Sequence, residues 1–457
     1  MTNLKDKQVA VLGLGQENIP LVKYLVTEGA QVTVCDKQTK EELAGSLELI
    51  KDFSIKEYRL GDAYLDNLEG FDTIFRSPGI PYLNEKIQQA KSRGVEVTSQ
   101  TKLFFDLCPG KIIGVTGTKG KGTTATLIYE ILKSHISNIT SRVYLAGNIG
   151  QPPIELINQL TADSLVILEL SSFQLQDLNC SPNIAVVLDI KSDHLDVHQA
   201  REEYVDAKKN IVRYQKENDI AIINADYETS ADFTNSTKAQ VYLFSREKEV
   251  TKGAYVNDKE EIILADDGET TKIIETSELI LRGKHNWENV CAAVTVSRVL
   301  GVEVGTIATV VKSFKGLEHR LEFVKNVNGV GYYNDSFSTT PDTTIAAIKS
   351  FSEPTILLVG GSDKGADYSE LANVISDSTV KTIVNIGLTG GKIIKKITNP
   401  KIKIYEQTQT LKDALKLIQE MSEPGDVVIL SPASASFDRY KNYKHRGEEF
   451  KKEVHLL

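Results

Sequence analysis

A glycine- and lysine-rich turn lies where an apolar strand should pass into a helix. The segment GVTGTKGKGTT covers residues 114–124, with KII before it and ATLIYEILK after it. Glycines in such a turn offer backbone N–H groups to an anion, and the following helix adds the positive end of its dipole. Lys121 could place its charge against the β- and γ-phosphates of ATP, and the Thr123 hydroxyl could bind Mg²⁺. We therefore predict an ATP-binding loop. Its contacting residues are Gly117, Thr118, Lys119, Gly120, Lys121, Gly122, Thr123 and Thr124.

The turn departs from the general phosphate-loop pattern GxxxxGK[ST]. Gly117 lies only three residues before Gly120, and Gly122 stands where serine or threonine is expected. A glycine-rich turn that binds no ligand is therefore the alternative, although two lysines within the turn favour a phosphate.

Acidic and imidazole side chains follow two later strands. Glu169 lies near the end of the apolar strand in ILELSSFQL, where a carboxylate is costly unless it meets a metal or a cation. His194 follows the strand that ends in LDIKSDHLDVH. Because the carboxyl ends of parallel strands line one crevice, we expect Glu169, His194 and Thr123 to surround Mg²⁺–ATP. Lys208, in YVDAKKN, is by itself typical of a solvated helix lysine.

A second glycine turn, VLGLG, occupies residues 11–15 and begins like a dinucleotide-binding fingerprint. Asn18 stands where the third glycine of that fingerprint is expected, and Asp36 ends the next strand, where a ribose-binding acid would lie. Three interpretations stay open: a redox enzyme, a turn that faces another nucleotide, and a packing turn without a ligand.

Short apolar, β-branched runs alternate with amphipathic helical stretches along the whole chain. This alternation predicts parallel sheets covered by helices on both faces, hence an α/β fold. We predict three α/β domains, over residues 1–102, 103–317 and 318–457. A strand-rich stretch between about residues 227 and 282 is interpreted as a β excursion of the middle domain.

Composition excludes several classes of protein. The 457 residues carry a net charge of −9, and a nucleic-acid binder needs a basic face instead. The sequence begins without an apolar signal core and has no apolar run that approaches a membrane span. Four widely spaced cysteines predict neither a zinc site nor a disulfide framework. We therefore expect a cytoplasmic protein that binds neither nucleic acid nor a membrane.

Motifs in an unbroken order resemble the Mur ligase family, and within it most closely the member that adds D-glutamate. These motifs include RSPGIP (76–81), GNIG (147–150), ELSSFQL (169–175), GKHNWEN (283–289) and SPASASFDRYKNYKHRG (431–447). The resemblance implies a Rossmann-like N-terminal domain for a UDP sugar, a central P-loop ATPase-like domain with a mostly parallel sheet, and a Rossmann-like C-terminal domain for an amino acid. It further implies a monomer that joins D-glutamate to UDP-N-acetylmuramoyl-L-alanine through an acyl phosphate, using ATP and Mg²⁺, in peptidoglycan precursor synthesis.

The resemblance also implies roles for individual residues. Lys208 matches a lysine that becomes a carbamate and binds metal, and His194 would hold a second Mg²⁺. The implied catalytic residues are Lys121, Glu169, His194, Lys208 and Arg320. The implied nucleotide contacts outside the loop are Asn286, Asn289, Arg320 and Asp335. The implied contacts of the UDP substrate are Gly15, Gln16, Asp36, Ser77, Gly79 and Asn148, and those of D-glutamate are Thr339, Lys364, Ser436 and Tyr443.

Three positions depart from the family pattern and keep alternatives open. Phe337 stands where these ligases usually carry a lysine, Asn18 replaces a small residue, and the loop GTKGKGT is closer to that of folylpolyglutamate synthase. A folate-type polyglutamate ligase, or another ligase of the Mur superfamily with a different acceptor or amino acid, is therefore the first alternative, although the folate enzymes lack the N-terminal domain that SPGI indicates. A nucleotide-binding subunit without catalysis is the second, and a NAD-dependent oxidoreductase is the last.

Overall fold

A computed structural model describes residues 4–135, 142–190, 201–363, 365–406 and 408–457. Two predicted site residues, His194 and Lys364, lie outside the described residues. The described chain forms three separate sheets, each flanked by helices, as the alternation of strands and helices predicted.

The first sheet has five parallel strands in the order β3-β2-β1-β4-β5. Its strands are β1 (Gln8–Leu12), β2 (Gln31–Asp36), β3 (Glu57–Leu60), β4 (Thr73–Arg76) and β5 (Glu96–Thr98). The helices of this segment are α1 (Asn18–Thr27), α2 (Ala44–Glu48), α3 (Glu85–Ser92) and α4 (Gln100–Leu107). Alternate residues of β1 enter two different cores, Val9 on one face and Ala10 on the other, because both faces of a parallel sheet are covered.

The second sheet has nine strands in the order β14-β13-β12-β11-β10-β9-β6-β8-β7. Its parallel strands are β6 (Lys111–Thr116), β7 (Val143–Gly147), β8 (Leu165–Glu169), β9 (Ile184–Val187), β10 (Ile220–Asn224), β11 (Gln240–Ser245) and β12 (Lys252–Val256). The remaining two strands, β13 (Glu261–Asp266) and β14 (Glu269–Glu275), extend the same sheet beyond β12, and β13 runs antiparallel to β12. The strand-rich excursion of the sequence is therefore an extension of this sheet.

Helices of the second segment connect and flank these strands. They are α5 (Lys121–His135), α6 (Ser172–Gln176), α7 (Arg201–Arg213), α8 (Glu228–Ala231), α9 (His285–Val299) and α10 (Val304–Ser313). In the sheet, β6 pairs with β8 on one side and with β9 on the other. The next two strands of the chain, β7 and β8, lie on one side of β6, and β9 begins the series on its other side, so the strand order reverses at β6. The carboxyl end of such a strand opens the ligand crevice of doubly wound sheets.

The third sheet has six strands in the order β15-β16-β20-β17-β18-β19. Its strands are β15 (Glu322–Val327), β16 (Val330–Asn334), β17 (Thr355–Val359), β18 (Val380–Asn385), β19 (Lys403–Tyr405) and β20 (Val427–Leu430), and β15 alone is antiparallel to its neighbour. The helices are α11 (Pro341–Ile348), α12 (Ser369–Ser376), α13 (Gly390–Ile394), α14 (Leu411–Met421) and α15 (Tyr443–His455).

The chain divides into two compact units. The first comprises Met1–Ile274 with Glu288–Val310, and the second comprises Glu275–Trp287 with Val311–Leu457. The first two sheets thus share one unit, and the predicted boundaries near residues 102 and 317 stay predictions. All four cysteines are free thiols. Within the described part of the chain, no helix has both the length and the apolar character needed to cross a membrane.

Candidate active site

The glycine turn between β6 and α5 is shaped for close approach to its backbone. Gly120 has a φ of +80°, and a β-carbon added there would lie 2.2 Å from Asn289 Oδ1. The hydroxyl of Thr124 donates to the same Asn289 oxygen at 3.2 Å. Only glycine therefore fits at residue 120 with α9 packed against the turn.

Asp189, two residues beyond β9, holds the turn in place. Its backbone oxygen accepts from Thr118 N at 2.6 Å, and its carboxylate accepts from Lys119 N at 2.9 Å. Lys121 Nζ donates to the oxygens of Gly117 and Thr118, both at 3.1 Å. The ammonium thus lies over the loop at the start of α5, where the first N–H groups of a helix lack intrahelical partners. This arrangement can bind a phosphate chain.

Lys208 is buried beneath this loop, so the interpretation of it as a solvated helix lysine is wrong. Its side chain extends from α7, is 1% exposed, and donates to Thr116 Oγ1 at 3.2 Å and to Gly117 O at 3.0 Å. The Tyr204 ring centroid lies 4.8 Å from Lys208 Nζ, and the Tyr204 hydroxyl lies 3.2 Å from Thr118 Oγ1. The helical pattern of YVDAKKN could not show this burial, because it depends on how α7 packs against the end of β6.

The surroundings of Lys208 favour a neutral amine. Burial and the nearby charge of Lys121 lower the pKa of Lys208 well below its ordinary value, and the carboxylates of Asp189 and Glu169 oppose this only in part. Desolvation disfavours the charged form of a lysine, and a neutral lysine is nucleophilic. A neutral amine is the form that the predicted carbamate of Lys208 requires.

Glu169 ends β8 beside the phosphate loop. In the sheet it lies opposite Val115 of β6 and Gly147 of β7, and its backbone oxygen accepts from Asn148 N at 3.1 Å. Thr123, in the first turn of α5, is buried. A carboxylate and a hydroxyl are hard oxygen ligands of the kind Mg²⁺ prefers, so the donors present fit the ion. Asn148 is exposed at the same end of the sheet.

The predicted contacts of the UDP substrate in the first sheet lie at its carboxyl end. Gly15 and Gln16 follow β1, Ser77 and Gly79 follow β4, and β1 pairs directly with β4. Asp36 ends β2, where its carboxylate accepts from the backbone N–H groups of residues 14 and 38 at 2.7 and 2.9 Å. The structure therefore brings these five residues to one edge, with Asp36 supporting the turn after β1.

Asn18 explains why this turn breaks the dinucleotide fingerprint. Its side chain is buried, and its amide nitrogen donates to the oxygens of Leu12 at 3.2 Å and Gly13 at 2.8 Å. An asparagine that satisfies loop carbonyls from inside the turn replaces the close backbone packing that a glycine would allow. The departure is thus a different way of building the same strand–turn–helix unit.

In the second unit, Asp335 follows β16 and lies close to Arg320. Burial raises the pKa of Asp335 to about 6, although Ser338, Ser431, Leu321 N and Arg320 each act to lower it. The Arg320 guanidinium lies 4.5 Å from the centroid of the Phe337 ring, which in turn contacts Tyr443 edge to face at 5.1 Å. The phenylalanine that replaces the expected lysine therefore supports the arginine through a cation–π contact.

A buried arginine connects the two loops that carry Thr339 and Ser436, two of the predicted D-glutamate residues. Arg446 of α15 donates to Ser336 Oγ and Ser336 O, both at 2.9 Å, and to Ser434 O at 3.1 Å. Ser436 is buried, and its hydroxyl has no hydrogen-bond partner among the described residues. Thr339 is half-buried on the loop that follows β16. A buried hydroxyl without a partner is costly unless a ligand or water meets it, so the Ser436 hydroxyl is available as a donor.

Asn286 and Asn289 both lie on α9, but they belong to different compact units. The Asn286 amide donates to Arg282 O at 2.7 Å, whereas Asn289 contacts the glycine turn as described above. Three residues with supporting contacts, Asp189, Tyr204 and Arg446, were not predicted as site residues. The sequence contains features that could have indicated them. Asp189 follows the end of a strand, Tyr204 lies four residues before Lys208, and Arg446 belongs to the motif KHRG.

Solved structures with the same fold cover nearly the whole chain. The MurF ligase from Thermotoga maritima in complex with ADP aligns with a TM-score of 0.57 at 19% identity, covering 99% of this chain and 96% of that one. The UDP-N-acetylmuramate–alanine ligase MurC from Thermotoga maritima aligns with a TM-score of 0.59 at 16% identity, covering 98% and 99%. At these identities the likeness shows the three-domain α/β fold.

Sequence comparisons find matches to related proteins in all three segments of the chain. The family models that match are the Mur ligase MurD-like N-terminal domain over residues 7–99, the Mur ligase middle domain over 115–297, and the Mur ligase glutamate ligase domain over 319–434. The UDP-N-acetylmuramoylalanine–D-glutamate ligase of Acetivibrio thermocellus is 43% identical, covering 99% of this chain and 97% of the relative. The enzyme of the same name from Ruminiclostridium cellulolyticum is 42% identical, covering 100% and 98%. The chain therefore belongs to the Mur ligase family.

Proposed function

We propose that this chain is an ATP-dependent ligase that adds D-glutamate to UDP-N-acetylmuramoyl-L-alanine, a step of peptidoglycan precursor synthesis. The observation that carries the proposal is the cluster at the carboxyl end of β6, where Lys121 and the buried Lys208 lie against one glycine turn beside the strand that ends in Glu169. Relatives that bear the name of this activity match the chain from end to end.

The reaction needs an activated carboxyl group, because a carboxylate is a poor acyl donor. The alanyl carboxylate of the UDP substrate would attack the γ-phosphorus of ATP, breaking the bond to the bridging oxygen and releasing ADP. The amine of D-glutamate would then attack the carbonyl carbon of the acyl phosphate. The resulting tetrahedral intermediate would lose inorganic phosphate and a proton, leaving the amide. Catalysis of such phosphoryl transfer consists mainly of alignment and charge neutralisation.

The phosphate loop would supply that neutralisation. Lys121 would leave its loop carbonyls and pair with the β- and γ-phosphates, while the N–H groups of the turn would bind the phosphate oxygens. Glu169 and Thr123 would hold one Mg²⁺, and His194 would hold a second. Bound Mg²⁺ would offset the negative charge of the phosphate oxygens during transfer.

Lys208 would serve the same cleft as a carbamate. Its neutral Nζ would attack carbon dioxide, forming an N–C bond and losing one proton, so that a buried neutral amine becomes an anion. The new anion would attract the nearby Lys121, whose charge disfavours the protonated form of Lys208. The carbamate oxygens would add a third hard ligand for Mg²⁺.

The other predicted residues would bind the substrates. The UDP sugar would lie at Gly15, Gln16, Asp36, Ser77 and Gly79, with its alanyl end near Asn148. The nucleotide would also meet Asn286, Asn289, Arg320 and Asp335. The carboxylates of D-glutamate would meet Thr339, Lys364, Ser436 and Tyr443. We place the enzyme in the cytoplasm, where ATP is made, and expect it to act as a monomer.

Phosphate release tests this proposal directly. ATP hydrolysis coupled to product formation should require both UDP-N-acetylmuramoyl-L-alanine and D-glutamate, and mass spectrometry should detect the amide product. L-glutamate and other amino acids form the comparison panel, and a folate acceptor tests the polyglutamate alternative. If neither proposed substrate stimulates phosphate release, the ligase assignment fails.

Two lysines on α5 provide a matched pair for the loop. Lys121→Ala should abolish turnover while leaving the fold intact, because it removes the charge next to the transferred phosphate. Lys133→Ala should leave activity unchanged, because Lys133 is exposed on the last turn of the helix, where its Nζ lies 5.4 Å from the centroid of the Tyr129 ring. Near-normal activity of the Lys121 variant would contradict the role of this loop.

A further inference from the structure

Arg76, the last residue of β4, has a buried side chain that reaches from the first sheet to α6, a helix that follows a strand of the second sheet. Its Nη2 donates to Asp177 Oδ2 at 2.5 Å and to Phe173 O at 3.3 Å, and its Nε donates to Asp177 Oδ1 at 3.3 Å. The two side chains of this pair are 0% and 2% exposed. The guanidinium therefore binds the start and the end of α6, the short helix that follows Glu169.

The remaining nitrogen of Arg76 binds the turn that follows β4. Nη1 donates to Ser77 O at 3.3 Å, to Pro78 O at 3.5 Å and to Ile80 O at short range. The RSPGIP turn thus has three backbone oxygens directed to a single cation. Because a planar guanidinium presents its five donors in a fixed geometry, it can hold two backbone segments in a defined relation.

A second contact joins the turn after β1 to the same helix. Gln174 Nε2 donates to Glu17 Oε1 at 2.8 Å, and Gln174 also closes the capping box of α6 with Ser171. The backbone oxygen of Glu17 accepts from Gln100 Nε2 at 2.9 Å. Both turns proposed to meet the UDP sugar are therefore attached to α6, whose preceding strand ends in Glu169.

This link carries an electrostatic cost. Burial raises the pKa of Asp177, and Arg76 lowers it only in part. Burial likewise raises the pKa of Glu17, against the hydrogen bond from Gln174 and the charge of Arg76. A buried ion pair is often no more stabilising than well-packed apolar side chains of similar volume. A contribution to stability is therefore a weak explanation for this buried ion pair. The fixed geometry that it imposes on the two segments is a stronger explanation.

We propose that Arg76 is a positioning residue that, together with Asp177, fixes the Ser77–Ile80 turn relative to α6 and so aligns the UDP sugar with the phosphate loop. The inference rests on the proposed function, since it assumes that this turn meets the UDP substrate. Arg76 acts through the backbone of the turn that it holds. It sets the distance between the substrate's anchored end and the strand end that carries Glu169.

A double variant separates positioning from stability. Arg76→Met with Asp177→Leu replaces the ion pair by apolar side chains, which should keep the protein folded, but it leaves the three turn oxygens without their donor. Arg93→Met with Glu69→Leu is the control, because that ion pair lies in the same segment with exposed side chains. Thermal unfolding establishes that both variants are folded.

The expected result is a loss confined to the UDP substrate. The Kd of UDP-N-acetylmuramoyl-L-alanine, measured by calorimetry, should rise about tenfold or more in the Arg76/Asp177 variant, because the turn that meets the UDP sugar is no longer held in its binding conformation. The Kd of ATP should change less than about twofold, since the phosphate loop is untouched and shares no partner with the substituted pair. Amide hydrogen exchange at residues 77–82 should become faster in this variant and stay unchanged in the control.

Two outcomes would overturn the inference. A folded double variant that binds the UDP substrate as tightly as the wild type would show that the ion pair does not position the turn. Equal weakening of ATP and UDP-substrate binding would show a general structural effect instead. If the wild type itself binds no UDP substrate, the proposed function fails, and exchange at residues 77–82 alone decides: faster exchange in the variant supports the link, and unchanged exchange refutes it.

Discussion

Asp335 gives a prediction in which stability and activity should move in opposite directions. Its carboxyl group is completely buried, and burial raises its pKa from an ordinary 3.8 to about 6. One pH unit of difference between the folded and unfolded states corresponds to about 1.4 kcal/mol. A carboxylate ionised in both states at neutral pH therefore costs the folded protein about 3 kcal/mol.

The sign follows from the protons bound by each state. Below pH 3.8 the group is protonated whether the chain is folded or not, so it has no effect. Between pH 3.8 and 6 the folded state holds more protons than the unfolded state, and stability falls as the pH rises through this window. Asp335→Asn should remove the penalty, stabilising the protein by about 3 kcal/mol at pH 7.5 and by about half as much at pH 5.

Urea unfolding followed by tryptophan fluorescence can measure this difference. The single tryptophan, Trp287, belongs to the same compact unit as Asp335. Asp426→Asn is the matched control, because Asp426 is also buried but pairs with Lys381 at 2.8 Å, so its substitution should destabilise the unit. Turnover of Asp335→Asn should fall despite the added stability, since we propose that this carboxylate reaches the nucleotide. A gain in stability that does not depend on pH, or no gain, would refute the reasoning.

Three further predictions concern the two sites. Gly120→Ala should weaken ATP binding about tenfold in a calorimetric titration. A β-carbon at positive φ costs about 1–2 kcal/mol, and here it would also meet Asn289. Wild-type affinity for ATP would contradict the packing of this turn. Phe337→Leu should lower kcat/KM for ATP about two- to fivefold, because it removes a cation–π contact of about 0.5–1 kcal/mol with Arg320. Phe337→Tyr should retain both the contact and the activity. Equal loss of activity in both variants would argue against the cation–π contact. With ¹³C-labelled bicarbonate at pH 7.5, the wild type should give a carbamate NMR signal that disappears in Lys208→Ala but persists in Lys209→Ala; a signal that survives the first substitution would assign it elsewhere.

Much of the architecture could be predicted because it is a local property of the chain. Runs such as QVAVL in Gln8–Leu12 and VVIL in Val427–Leu430 are apolar on both faces, which is typical of a covered parallel strand. The glycine turn near Lys121 was recognisable for the same reason, since the residues that shape a strand–turn–helix phosphate loop are contiguous in sequence. The order of motifs then identified the family along the chain.

The contacts that tune the site depend on residues far apart in sequence, and no local pattern contains them. Lys208 has the sequence surroundings of a surface lysine, yet packing of its helix against β6 buries it and lowers its pKa. Phe337 stands where a lysine was expected, and only the folded loop shows that its ring lies against the Arg320 guanidinium. Arg76 and Asp177 are separated by about a hundred positions and meet only because two sheets of one compact unit pack together. Hydrophobic pattern and backbone preference act over a few residues and so define strands and turns, whereas burial, pKa and ion pairing arise only when distant segments exclude water from one another.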